Sequence, residues 1–289
     1  MIERFLKKVV RKAVRMATDW SNEETPTMTG PHDGWALPYT LNPVFVEVSR
    51  TQGCDHPYTW GVVHATNLAK MLGIPRVSII EFGVAGGRSL LTLESIATKV
   101  ESIFGVKIDL YGFDTGAGLS KPLNCADMPN LWSEGAFPME VDKLQARLTR
   151  SKLVLGPVNE TVPEFIKNDI APIAFVSFDV DLYSSTLHAL KIFDADRRAL
   201  LPRVYCLFDD ILGYSFGDHV GERLAISEFN ESHENVKLSP IYGLHHYVPK
   251  QFADRMWEKN YMAHVFDHPM YGTYDGSIPK EQQAALLRI

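Results

Sequence analysis

The sequence predicts an α/β protein built on a mostly parallel sheet of seven strands, and three observations carry that prediction. From Pro75 onward, short apolar runs alternate with amphipathic stretches of helical length. A glycine-rich turn, Glu81-Phe82-Gly83-Val84-Ala85-Gly86-Gly87, follows the first apolar run, and two acidic clusters follow two later ones. Strands that alternate with helices pair in parallel, and their carboxyl ends then form one edge where ligands gather.

Taken in order, the chain opens on a basic stretch. Within its first twenty residues Arg4, Lys7, Lys8, Arg11, Lys12 and Arg15 stand against Glu3 and Asp19. Ile2, Phe5, Leu6, Val9, Val10 and Ala13 recur at helical spacing, which predicts a basic amphipathic helix. Such a helix suits peripheral contact of residues 1–16 with an anionic membrane surface, but a cap packed on the core or a partner in a homo-oligomer is the favoured reading. Residues 21–57 hold Pro26, Pro31, Pro38, Pro43 and Pro57 and read as an extended wrap, with Trp20, Trp35, Tyr39 and Phe45 as anchors. An N-terminal extension over 1–57 and a catalytic domain over 58–289 follow as the expected division.

Helical periodicity runs from Tyr58 to Leu72 and stops where Gly73 and Pro75 oppose it. Strands are then expected near 77–82, 107–113, 152–155, 172–179, 203–209, 237–243 and 260–266. Helices are expected near 87–103, 141–150, 162–168, 184–197 and 220–231. Between the second strand and the next helix lies a long loop from Gly116 to Pro138. Loops of that length inside a compact domain usually bind or cover a ligand.

Composition narrows the class. At 289 residues and 45% hydrophobic the chain can bury a large core. A net charge of -6 argues against a nucleic-acid surface spread over the molecule. Cys54, Cys125 and Cys206 are odd in number and widely spaced, as expected of reduced thiols in a cytoplasmic protein. No apolar stretch is long enough to span a bilayer.

Two sets of residues carry chemistry. Glycines in the turn after the first strand let a ligand approach the backbone, and the helix that follows offers free N–H groups; a plain structural turn reads the same way. The next strand delivers Asp114, the acidic residue that nucleotide-binding sheets place at a ribose. The second set is Asp179-Val180-Asp181 with Asp209-Asp210, each after an apolar strand. Four carboxylates crowded together need a cation or shared protons, and an all-oxygen set suits Mg²⁺ before Zn²⁺. Asp181 alone also reads as a cap for the helix beginning near Ser184.

Glu81-x-Gly83-x-x-x-Gly87, Phe113-Asp114-Thr115 with Gly118-Leu119, and Leu155-Gly156 before Asn159-Glu160-Thr161 together resemble a class I S-adenosylmethionine-dependent methyltransferase. Asp179-x-Asp181-Leu182-Tyr183-x-Ser185-Thr186 followed by Asp209-Asp210 is similar to the macrocin O-methyltransferase family, metal-dependent enzymes that methylate sugar hydroxyls. The resemblance spans about Tyr58 to Phe229. It implies a Rossmann-like sheet with an antiparallel last strand, S-adenosylmethionine and Mg²⁺ as cofactors, and a small-molecule or glycan hydroxyl as acceptor. By the same resemblance Asp179, Asp209 and Asp210 are metal ligands and Asp181 is the base, with Asp179 beside it. Glu81, Gly83, Ala85, Gly87, Arg88 and Ser89 surround the donor's methionine part, Asp114 its ribose, Asn159 its adenine, and Thr59 its carboxylate. A rival reading takes Asp179-x-Asp181 as the nucleophile motif of a haloacid dehalogenase-like phosphatase, but leaves the glycine turn and Asp114 idle. A non-catalytic cofactor-binding module is the third reading, disfavoured because unused buried carboxylates are costly.

Overall fold

The computed structural model of the protein describes residues 41–273 and 275, apart from 52, 54 and 214–216. The expected basic helix, the membrane-contact segment 1–16 and the anchors Trp20, Trp35 and Tyr39 lie outside the described residues. The seven strands are β1 (Arg76–Phe82), β2 (Lys107–Asp114), β3 (Lys152–Leu155), β4 (Ile173–Phe178), β5 (Leu200–Phe208), β6 (Val236–Pro240) and β7 (Asn260–Val265). They form one sheet in the order β3-β2-β1-β4-β5-β7-β6. The strands β3, β2, β1, β4 and β5 pair in parallel, and β7 runs antiparallel to both β5 and β6. This is the Rossmann-like sheet with an antiparallel last strand.

Helices cover the sheet: α1 (Asn42–Val48), α2 (His56–Met71), α3 (Arg88–Phe104), α4 (Val141–Gln145), α5 (Val158–Phe165), α6 (Tyr183–Leu190) and α7 (Gly221–Ser232). The helix α2 starts at the Asp55 cap, whose carboxylate accepts the Tyr58 N–H at 3.2 Å. The apolar runs of β1 and β4 are buried almost throughout because helices lie on both faces.

Several expectations need correction; among them, the helix expected over 184–197 ends at Leu190 and passes into a 3-10 turn, Lys191–Asp194. The wrap expected to be extended over 21–57 is helical at Asn42–Val48, where Pro43 presets the first turn and Phe45 and Val48 are fully buried. Two turns are too short for periodicity to reveal. The helix expected over 141–150 ends at Gln145, because the Glu94 carboxylate takes the backbone N–H groups of Thr149, Arg150 and Ser151. The strand expected over 172–179 ends at Phe178, so strand alternation does not carry Asp179 and Asp181 to one side.

What positions the site is a row of phenylalanines across the four central strands. The register sets Phe82 beside Phe113 and Phe178, and Phe178 beside Phe208, all fully buried. Ring centroids are 4.8, 5.5 and 4.5 Å apart along the row. Each ring is followed at once by a residue of interest: Gly83, Asp114, Asp179 and Asp209. Burying a phenylalanine contributes about 2–3 kcal/mol, so the row locks four strand ends to one level.

Candidate active site

The strand ends open into a cavity of about 340 Å³. One wall is Gly83, Val84, Ala85 and Asp114; the other is Asp179, Asp181, Asp209 and Asp210. The two walls meet where Gly83 lies against Asp179. Gly83 has φ +84, and a side-chain carbon there would stand 1.7 Å from the Asp179 carbonyl oxygen, so only glycine fits. The strands are tied at the same level, Asp179 donating its N–H to the Phe82 carbonyl and Gly83 to that of Phe113, both at 2.9 Å.

On the glycine side, Asp114 closes the loop. One of its oxygens accepts the N–H groups of Val84 and Ala85 at 2.9 Å, and the other accepts Gly116 N–H at 2.7 Å. The loop backbone is thereby shaped into a cradle with its carboxylate at one end. Gly87 closes the turn at φ +77 and packs on Leu144, while Arg88 is exposed at the start of α3. Glu81 lies beneath the loop, fully buried. Burial pushes its carboxyl up to about 7 against hydrogen bonds from Ser89 and Tyr58, and the Tyr58 hydroxyl lies 3.1 Å from Oε1. Its Oε2 is buried with no partner.

On the acidic side, burial and mutual repulsion act together. Burial first, then the charges of Asp209, Asp210 and Asp181, push the Asp179 carboxyl up to about 8. Asp181 and Asp210 are both raised, chiefly by burial, and share a hydrogen bond. Asp181 holds a left-handed backbone, φ 58, rare for a residue with a side chain. Of the four described non-glycine residues with positive φ, Ala85, Phe137 and Asp181 line this cavity; strain of that kind collects at functional sites. Asp181 does not cap α6. The Ser184 N–H there goes instead to Asp127 Oδ1 at 2.7 Å.

Sequence reasoning missed three residues. Glu222, fully buried on α7, accepts the Asp210 N–H at 2.9 Å, and burial with the three nearby aspartates raises its carboxyl well above the usual range. Lys259 Nζ lies 2.7 Å from Asp209 Oδ1. Asp127, fully buried in the Gly116–Pro138 loop, anchors it to α6. None belongs to a motif, and Lys259 and Asp127 meet their partners across 50 and 57 residues of chain; only a lone acid or base in the sequence marked them. That loop supplies Gly118, Leu119, Ser120, Ala136 and Phe137 to the cavity.

Not every predicted residue lines the cavity. Thr59 is fully buried and donates to the Asp55 carbonyl at 2.8 Å, and Asn159 is exposed beside Val158, which does line it. Among the described residues no three His, Cys, Asp or Glu side chains are set to enclose a metal ion. The donor chemistry nevertheless fits one: the set is all oxygen, Asp210 Oδ2 is buried without a partner, and the raised carboxyls are only partly compensated, by the single ammonium of Lys259.

No family model and no curated protein matches the chain. Among solved structures it is similar to CalS11, a calicheamicin methyltransferase, at 21% identity over 82% of this chain and 88% of that one, TM-score 0.48. The apo structure of CalS11, described as a TDP-rhamnose 3'-O-methyltransferase, shows 23% identity over 82% and 90%, TM-score 0.40. The O-methyltransferase TomG from Streptomyces achromogenes, in complex with SAM, shows 12% identity over 83% and 92%, TM-score 0.38. The fold assignment stands on the strand order and register themselves.

Proposed function

We propose that this chain is a Mg²⁺-dependent O-methyltransferase that moves a methyl group from S-adenosylmethionine to a hydroxyl of a sugar or glycosylated metabolite. One observation supports the reading above the others: a donor cradle and an acidic cluster line the same cavity and meet at Gly83 and Asp179. A sulfonium methyl is already activated, so the protein has to orient the acceptor oxygen and take its proton. The cradle of Gly83, Val84 and Ala85, closed by Asp114, would hold the donor along one wall, with Glu81, Ser89 and Arg88 toward its amino-acid end. Asp179, Asp209 and Asp210 would hold Mg²⁺, which lowers the pKa of a hydroxyl brought against it. Asp181, beside Asp210 on the cavity wall, is the carboxylate left to accept the proton. The free thiols Cys125 and Cys206 agree with a reducing, cytoplasmic setting.

Calorimetric titration with S-adenosylmethionine and with NAD, each with and without Mg²⁺, tests this. S-Adenosylmethionine should bind and NAD should not. Asp209→Ala and Asp210→Ala should keep donor binding and lose Mg²⁺ binding. Binding of NAD alone, or Mg²⁺ affinity unchanged in both variants, would refute the proposal.

A further inference from the structure

We propose that Lys259 is a tethered counter-cation of the acidic cluster, with which a divalent ion must compete for Asp209; the inference rests on the metal role proposed above. Lys259 closes a short turn, Trp257–Lys259, just ahead of β7. Its ammonium lies 2.7 Å from Asp209 Oδ1, with the lysine side chain only 12% exposed. Among the described residues it is the one basic side chain ion-paired with any of Asp179, Asp181, Asp209, Asp210 and Glu222. Arg223, next in sequence to Glu222, turns away to the Ile211 carbonyl and Asp218.

The charge balance gives this pair a meaning. The ammonium touches Asp209 and its charge is felt at Asp210, so a single positive charge stands where a doubly charged ion would be held far better. An ammonium on a four-carbon stem is a compact point charge that can swing away without disturbing the backbone. The base of that stem is fixed. Trp257 is 1% exposed and packs with Phe45, Trp60, Leu244 and Val248 in an apolar cluster of its own. The root of the arm is therefore rigid while its tip rests on a ligand-forming oxygen. In the absence of an ion the ammonium compensates Asp209; when an ion binds, the lysine yields or is repelled. The residue thus sets divalent affinity lower than Asp179, Asp209 and Asp210 alone would give.

The test is calorimetric titration of Mn²⁺ into the full chain and its Lys259→Met, Lys259→Gln and Lys259→Arg variants, each checked for folding by circular dichroism. Removing the charge should tighten Mn²⁺ binding by about tenfold, and the arginine variant should stay near wild type. A second measurement needs no variant. Acetylation of Lys259, followed by mass spectrometry on the wild type, should become several-fold faster when Mn²⁺ is bound. Wild-type binding with no tightening in the Met and Gln variants, or an unchanged acetylation rate, overturns the inference alone. No Mn²⁺ binding by any form overturns the metal role and this inference with it.

Discussion

Gly83 is where a single residue decides most. It carries two constraints at once, a left-handed φ of +84 and a carbonyl oxygen of Asp179 that leaves no room for a side-chain carbon. Gly83→Ala should force β1 and β4 apart at their carboxyl ends and cost about 3 kcal/mol or more. Urea unfolding should show that loss, and S-adenosylmethionine binding should disappear with it; a stable variant with intact donor binding would show that the two walls are not coupled here. The same residue scale shows why Asp181 does not cap α6. Its φ of 58 takes it out of the strand, while Asp127 does the capping. Glu222 and Lys259 show the reverse case, isolated charges whose meaning appears only beside Asp209 and Asp210.

At the scale of elements, the loop from Gly116 to Pro138 is tied both to itself and to α6. Leu119 and Ala136 pair across it, Leu119 donating to the Ala136 carbonyl at 2.7 Å, and Asp127 ties it to α6 through Ser184 N–H and Oγ. Asp127 also takes the Leu123 N–H at 2.7 Å. Asp127→Ala should therefore cost about 1–2 kcal/mol, the usual loss of a helix cap, and free the loop. Limited proteolysis should then cut first between residues 116 and 138; an unchanged cleavage pattern would mean that the anchor lies elsewhere. Sequence pattern marked this loop by its length alone. Its anchoring is a contact between residues 57 apart, for which no local pattern exists.

At the scale of the whole molecule, acid stability should turn on Glu94, which is 6% exposed and joins α3 to the approach to β3. Burial alone would raise its carboxyl, but bonds from Thr149, Arg150 and Ser151 outweigh burial and hold it down at about 2, below the usual 4.5. The unfolded chain then binds the proton more tightly than the folded one. This contribution of about 3 kcal/mol is complete above pH 4.5 and fades as pH falls toward 2. Denaturation of wild type and Glu94→Gln across that range should show a steep acid limb in the wild type and a shallower one in the variant; parallel limbs would exclude the role.

Strand and helix order, the glycine turn, Asp114 and the two acidic clusters are legible in the sequence, because each follows from hydrophobic period and from residues at the ends of apolar runs. Such patterns are local, and so is the physics behind them. The phenylalanine row, the contact of Gly83 with Asp179, the orientation of Asp181 and the arrival of Lys259 at Asp209 could not be read that way. They depend on sheet register and on chain segments dozens of residues apart coming within a few ångströms. Packing and electrostatics act across space, and they alone turned a set of plausible acids into one strained, crowded and partly neutralised site.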